Sequence, residues 1–341
     1  MLKTTLGRTD LEVTRSAFGV LPLQRTEKEE AARILRTAFD AGINFYDTAR
    51  GYTDSEEKIG YALSDVRDSI IIATKSAAAT RNDLLAHLET SLRNLRTDHV
   101  DLLQLHNPSE LPDPDDSESS YAGLIEAREK GLTKFIGITC HSRERAYAAV
   151  ESGLYDTLQY PVCILSTEED LALIKMCREA NVGLIAMKPL SGGLITNMRA
   201  AFAFLWQYET VVPIWGIQRM SELEELLALD AHPPALDDEL RTAIEEDRRE
   251  LAGDFCRACG YCLPCAAEIP IPMAARMPLL LRRMPYRQFL SDDWRAKMHR
   301  IEDCTECGAC RSRCPYGLDT PALLRKSLAD YDEFYREHAQ G

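Results

Sequence analysis

A (β/α)8 barrel, the α/β architecture of TIM barrels, followed by a smaller cysteine-rich domain is the fold this sequence predicts. Three observations predict it. Short apolar runs alternate with longer amphipathic stretches eight times in the first 230 residues, a count that suits a closed parallel barrel better than an open sheet. No G-x-G-x-x-G follows the first of these runs, so an open dinucleotide-binding sheet loses its main support. Eight of the eleven cysteines fall in two tight groups after residue 255.

The elements follow in order. "MLKTTLGRTDLEVT" reads as a small hairpin with Gly7–Arg8 at its turn, placed to plug a barrel floor. The first expected strand, 15–20, precedes a helix over 27–42. The second, 43–47, precedes a helix over 55–65. The third, 69–75, is followed by 82–96, and the fourth, 100–106, by a helix near 119–131. "KFIGIT" (134–139), "TLQYPV" (157–162), "VGLIAM" (182–187) and "TVVPIWG" (210–216) complete the eight, each with a helical stretch behind it.

Composition shifts near residue 250. The net charge is −14, yet residues 250–341 hold 13 basic and 13 acidic side chains. The whole imbalance therefore lies in residues 1–249, and it argues against nucleic acid as a partner. These shifts suggest a barrel over 1–235, a linking helix over 236–249 and a second domain over 250–341. The opening residues lack the apolar core of a signal peptide, and no run of about 18 apolar residues suggests a membrane span. The expectation is a cytoplasmic protein with no membrane partner.

Barrel enzymes place their chemistry where strands end. Strand 2 ends in Asp47, with Tyr52 in the loop beyond; strand 3 ends in Lys75 and strand 4 in His106. Taken singly, each has a plain structural reading: a solvated lysine, a satisfied histidine. Together they make chemical sense. A phenol is a poor acid near neutrality because its free pKa is ~10. A nearby ammonium favours the phenolate and lowers that pKa. A carboxylate fixes the ammonium, and a histidine can donate to a carbonyl oxygen and share in the proton transfer.

The segments "GINFYDTARGYTDSEEKIG", "IIATK" and "DLLQLH" resemble the signature segments of the aldo-keto reductase family, over roughly residues 1–230. The resemblance implies a barrel that binds NADP(H), with NAD as an alternative, and transfers hydride to a small carbonyl or from an alcohol. It implies Tyr52 as general acid, Lys75 and Asp47 as its tuning pair, and His106 as carbonyl orienter. It also implies cofactor contacts. Thr139 stands where the family has serine, and Cys140 replaces the following asparagine. Gln159 matches the carboxamide-holding glutamine. Met187 stands where a tyrosine stacks on nicotinamide. Lys188, Pro189, Leu190 and Gly192 form the next loop, with Lys188 facing a pyrophosphate. Gly216, Gln218, Arg219, Glu224 and Glu225 follow the last strand, and Leu226 replaces the family's asparagine. A barrel with an altered or inactive cofactor site is the competing reading.

"CRACGYCLPC" supplies Cys256, Cys259, Cys262 and Cys265, and "CTECGACRSRCP" supplies Cys304, Cys307, Cys310 and Cys314. The second is a full C-x2-C-x2-C-x3-C-P run, the bacterial ferredoxin pattern; the first is shorter by one residue and lacks the proline. The fourth cysteine of each such run serves the other cluster. The expectation is two [4Fe–4S] clusters in an α-helical ferredoxin-like two-cluster domain. Cluster I would use Cys256, Cys259, Cys262 and Cys314; cluster II would use Cys304, Cys307, Cys310 and Cys265. Zinc is the alternative, although cysteines three apart crowd around a single ion. The insert over 275–300 carries seven basic and two acidic residues. It reads either as a docking face for an acidic electron carrier or as a solvated helix shielding the clusters. This region also resembles a branch of the aldo-keto reductases with a C-terminal dicluster domain. The acidic loop "NPSELPDPDDSESSY" after His106 is expected to form part of a lid.

Three functions stay open on the sequence. Hydride chemistry at Tyr52 is coupled to one-electron traffic to a ferredoxin-like partner. Or a simple carbonyl reductase carries structural or redox-sensing clusters. Or the chain is a non-enzymatic electron-transfer module on a barrel scaffold. Coupling one hydride to single electrons normally needs a flavin or similar relay; no flavin motif is evident, and a flavin is not excluded.

Overall fold

Strands buried on both faces need helices on one side and a packed interior on the other, which is the condition a parallel barrel meets. The computed structural model describes residues 1–251, 255–283 and 286–338. Within it eight strands close a parallel barrel: β3 (Ala17–Gly19), β4 (Phe45–Asp47), β5 (Ile71–Ser76), β6 (Val100–His106), β7 (Thr133–Thr139), β8 (Thr157–Pro161), β9 (Gly183–Met187) and β10 (Val211–Gly216). They follow one another in chain order, and β10 returns to pair with β3. The expected barrel is therefore the observed one. β6 occupies its expected span, whereas β3 and β4 are shorter than their apolar runs.

Outside the strands run α1 (Lys28–Asp40), α2 (Ser55–Leu63), α3 (Arg81–Leu95), α4 (Ser120–Glu129), α5 (Arg143–Glu151), α6 (Glu168–Glu179), α7 (Met198–Trp206) and α8 (Met220–Ala231). Several begin where a short polar side chain caps the first free amides. Thr80, Ser119, Ser142, Thr167 and Asn197 each accept from a backbone N–H three residues on.

The hairpin of β1 (Lys3–Thr5) and β2 (Glu12–Thr14) plugs the barrel floor as expected. Leu6, Leu11 and Val13 pack with Phe45, Leu102, Ile185, Val212 and Ile214 in one core. Gly7 makes that approach possible. Its φ is +58°, and a Cβ there would lie 2.1 Å from Gly183 N. Arg8 then donates to the carbonyls of Ala180 (2.9 Å) and Asn181 (3.3 Å), answering free acceptors beyond the end of α6.

The chain divides into two compact units, residues 1–190 with 197–244, and residues 191–196 with 245–341. α9 (Asp238–Glu250) occupies the span where a linking helix was expected. The second unit contains α10 (Ile271–Ala274), α11 (Met277–Arg283), α12 (Asp292–His299), α13 (Ala309–Ser312) and α14 (Thr320–His338). Ile271, Met277, Leu280, Leu281, Phe289, Met298, Leu324 and Tyr331 are buried in it, and the Tyr331 hydroxyl donates to Phe289 O at 2.8 Å. Among the described residues, no helix is long and apolar enough to cross a membrane.

Candidate functional sites

Parallel register carries the strand-end residues toward one another. Asp47 pairs with Ala73 across β4–β5, Lys75 with Gln104 across β5–β6, and His106 with Thr139 across β6–β7. Asp47 and Lys75 are both fully buried, and Lys75 Nζ donates to Asp47 Oδ2 at 2.7 Å and to Thr48 O at 2.6 Å. Burial pushes each toward its neutral form, Asp47 upward and Lys75 downward, while their contact pulls both back toward the ion pair. Removing one member would strand a buried charge.

Tyr52 stands above this pair. The loop from Asp47 keeps bonding along β5, with Thr48 N donating to Ala73 O (2.9 Å) and Arg50 N to Lys75 O (3.0 Å). That path brings the Tyr52 ring centroid to 5.1 Å from Lys75 Nζ and 5.5 Å from the His106 ring, edge to face. The electrostatics differ from the expectation. Burial and the Asp47 carboxylate push the Tyr52 phenol above its usual value. Lys75 is paired with Asp47, whose negative charge offsets the ammonium at the phenol. The phenol therefore holds its proton at neutral pH.

His106 stays neutral for two reasons. Burial first, and the Lys75 charge second, pull its pKa down to about 3. In an unfolded chain it would titrate near ~6.5. Between those values the unfolded chain binds a proton that the folded chain refuses. Stability from this site is therefore complete above about pH 6.5 and is lost as pH falls toward 3. His106→Gln is expected to flatten the acid limb of a denaturant-unfolding series over that window. An unchanged acid limb would remove His106 as its cause.

Three residues support this site without having drawn notice in the sequence. Gln104, inside the barrel, donates to Gln159 Oε1 at 3.0 Å and approaches Asp47 Oδ1 at 3.5 Å. Glu56, fully buried at the start of α2, accepts from Thr74 Oγ1 (2.7 Å), Arg50 Nη1 (2.9 Å) and Asn94 Nδ2 (3.2 Å), which pins the loop carrying Tyr52. Asn107 donates its N–H to Thr139 Oγ1 at 2.9 Å and accepts from His141 N at 2.9 Å. The one available signal was an amide or acid beside each strand end.

The expected cofactor residues are placed as follows. Thr139 ends β7 and is buried. Cys140 is fully buried, its N–H donates to Gln159 O (3.0 Å), and burial pushes its thiol up to about 12. It cannot replace an asparagine amide as a strong donor. Met187 ends β9 and is nearly buried. In the loop after β9, Lys188, Ser191, Gly192 and Gly193 all have positive φ; Ser191 is buried, and Gly192 and Gly193 are exposed. Pro189 is buried and Leu190 half-buried within it. Gly192 groups with the second unit, and its carbonyl accepts from Arg276 Nη2 at 2.6 Å. Gly216 ends β10 and is exposed. The N–H groups of Gln218 (2.8 Å) and Arg219 (3.0 Å) donate to Glu222 Oε2, and Arg219 Nη2 donates to Glu222 Oε1 at 2.6 Å. Glu222 therefore answers amides expected to face a dinucleotide. Glu224 and Glu225 are exposed on α8. The start of α8 is occupied by its own glutamate.

In the second unit both cysteine runs adopt the same turn. Ala258 and Gly260 have φ of +51° and +83°, and Glu306 and Gly308 repeat them at +52° and +74°. One cavity is lined by Cys256, Cys259, Cys262 and Cys314, with Ile271, Leu318 and Leu323 around them. A second is lined by Cys265, Cys304, Cys307 and Cys310 and also touches Cys262. Among the described residues, no three His, Cys, Asp or Glu side chains converge as they would on a single ion. Four thiols ringing a cavity are the donor set a [4Fe–4S] cluster requires, so the residues present fit that group.

The basic insert is largely satisfied within its own unit. Arg282 forms a two-armed pair with Asp330 (2.8 and 2.7 Å), Lys297 meets Asp293 (2.6 Å), Arg300 meets Glu268, and Arg295 lies 4.6 Å from the Tyr335 ring. Met284 and Pro285 lie outside the described residues, as does the Arg283 side chain. The acidic loop after His106 bonds back to α3 and α5: Glu118 O accepts from Arg81 N at 2.8 Å, and Ser109 O from Arg145.

A model of the Aldo/keto reductase family matches residues 16–202, and a model of the 4Fe-4S dicluster domain matches residues 255–319. The chain is 29% identical over 215 residues to the uncharacterized oxidoreductase YqkF of Bacillus subtilis, covering 58% of this chain and 67% of that one. It is 29% identical over 195 residues to the L-glyceraldehyde 3-phosphate reductase of Escherichia coli K12, covering 50% of this chain and 55% of that one. The match thus spans between about half and two thirds of these relatives' length. Among solved structures, the holo form of aldo-keto reductase AKR11C1 from Bacillus halodurans superposes with a TM-score of 0.63 at 21% identity, covering 72% of this chain and 96% of that one. At that identity it shows the fold.

Proposed function

The chain belongs to the aldo/keto reductase family and carries a 4Fe-4S dicluster domain, and from that premise we propose a nicotinamide-dependent oxidoreductase that interconverts a small carbonyl compound and its alcohol at Tyr52 and exchanges single electrons through two [4Fe–4S] clusters. The observation that carries the first half is the buried Asp47–Lys75 pair beneath Tyr52 and His106. The rings of eight thiols around two cavities carry the second.

A bound nicotinamide supplies or takes the hydride, and the clusters carry electrons one at a time. The chain's own residues handle the proton. Tyr52, held protonated by burial and Asp47, donates O–H to the carbonyl oxygen as negative charge develops there. Neutral His106 donates an N–H to the same oxygen and so fixes its position. Lys75 stays fixed by Asp47 and Thr48 O, 5.1 Å from the Tyr52 ring, so its positive charge stabilises the phenolate that forms as the proton leaves. Gln104 and Glu56 keep the pair and the Tyr52 loop in place. A ferredoxin-like carrier is the partner this reading implies.

The test is anaerobic purification with iron and sulfide counted, followed by NADPH with and without short aldehydes while the visible cluster absorbance is recorded. About eight irons, aldehyde-dependent NADPH oxidation and bleaching of the clusters support the whole reading. Turnover without bleaching leaves a reductase with structural or sensing clusters. An iron-loaded chain that oxidises neither NADPH nor NADH with any aldehyde or ketone sinks the catalytic half.

A further inference from the structure

We propose that the cluster of the second cavity is the port through which this chain exchanges electrons, and that the mouth of that cavity, around Cys307 and Arg313, is the docking surface for a small acidic one-electron carrier protein. This rests on the reading that the eight cysteines hold two clusters.

The two cavities differ in what separates them from solvent. No residue lining the first is exposed: Ile271, Ala275, Leu318 and Thr320 are buried there, and its four cysteines are half-buried. The second opens. Pro264, Ala266, Thr305, Glu306, Cys307 and Arg313 line it and are all exposed. Cys307 is the one exposed thiol among the eleven. Electron transfer falls steeply with distance, so a carrier docked at Cys307 meets the second cluster at close range. Cys262 and Ile271 line both cavities, so the first cluster is reached from the second across a shared wall.

The partner's chemistry follows from the rim. Its two charged side chains are Glu306 and Arg313. Glu306 is taken up by Arg325 at 2.6 Å. Arg313 donates to the carbonyl of Pro264 at 3.5 Å, and among the described residues no carboxylate lies within ion-pair distance of its guanidinium. The fork is thus anchored on the first cysteine run and keeps donors for a carboxylate from outside. Leu263, 42% exposed, is the one large hydrophobic side chain of this unit left in solvent among the described residues. With Pro264 and Ala266 it forms an apolar strip beside that charge. An apolar centre with a directed charge at its edge suits a specific, transient contact.

The basic insert, where the sequence suggested that such a carrier would dock, has Arg282, Lys297 and Arg300 already paired. At the Cys307 mouth a reduced carrier gives one electron to the oxidised cluster and leaves oxidised by one, or the reverse. No bond forms and no proton moves.

The experiment uses full-length, iron-loaded protein. Cys259→Ala and Cys307→Ala assign the two EPR signals by the one each removes; if either loses both clusters, the serine variant assigns its signal by a shift. A dysprosium chelate in solution speeds the relaxation of spins near the surface. It is expected to act on the signal lost in Cys307→Ala and to leave the other nearly unmoved. A plant-type [2Fe–2S] ferredoxin, a small acidic protein, is the docking probe, and its electron exchange with the clusters is followed by stopped flow at low ionic strength. Arg313→Glu is expected to slow that exchange roughly tenfold, the lower end of electrostatic steering, with the difference shrinking as salt is raised. Arg287→Glu, at an exposed cation of the insert, is expected to match the parent. Equal action of the chelate on both signals, or stronger action on the first, overturns the proposal. So does parent-like exchange in Arg313→Glu, slowing in Arg287→Glu in its place, or a loaded parent chain that exchanges no electrons with the ferredoxin in either direction. If Arg313→Glu does not load iron, Arg313→Gln is read in the same way. A parent chain without iron overturns the proposal together with the reading beneath it.

Discussion

Tyr52→Phe is expected to lower carbonyl reduction roughly 100- to 10,000-fold, the range one general acid contributes, with nucleotide affinity unchanged. The substitution removes one oxygen from a half-buried ring. The ring keeps its edge contact with His106 and its position near Lys75, so packing around the site is preserved. What is lost is the proton that burial and Asp47 keep on the phenol. Binding of the nucleotide is read by fluorescence titration and turnover by NADPH oxidation, so the two separate. Turnover within a few fold of the parent chain would show that another group, His106 first, supplies the proton. Asp47→Asn would not substitute as a test, because it leaves Lys75 buried beside a neutral partner and perturbs folding as well as chemistry.

The second large effect concerns iron. Cys314→Ala is expected to remove the same cluster as Cys259→Ala, leaving about four irons of eight. Cys265→Ala is expected to remove the cluster lost in Cys307→Ala. The reason is the lining of the two cavities: Cys314 joins the 256–262 run, and Cys265 joins the 304–310 run. Simple neighbours in sequence would give the opposite pairing. Iron counts and EPR signals of the four variants decide it. If Cys314→Ala and Cys307→Ala lose the same signal, ligation is uncrossed and the cavity assignment is wrong.

Why these effects were readable unevenly follows from where the information lies. The eight apolar runs and their helices are local patterns, and burial on both faces writes them plainly into the chain. β6 was legible to the residue because its ladder bonds to β5 and β7 along its length. β3 and β4 were overestimated because pairing stops where the chain turns away, although the apolar run continues. Asp47, Lys75 and His106 stood out because a polar residue ending an apolar strand breaks the local pattern. The cysteine runs stood out because metal-cluster spacing is local.

Glu56, Gln104, Glu222 and Arg276 left no such mark. Glu56 reads as one more helical acid until Thr74, Asn94 and Arg50 close around it. Arg276 reads as one of seven cations in a basic insert until burial separates it from the surface pairs. The direction of the Tyr52 shift was likewise decided in three dimensions: burial of the phenol and the Asp47 carboxylate raise it, and Lys75 is paired with that carboxylate. The sequence alone therefore determined the barrel, the polar strand ends and the two cysteine runs, because each depends on spacing along the chain. Only tertiary structure decided which charge faces which group, because that depends on contacts between residues far apart in sequence.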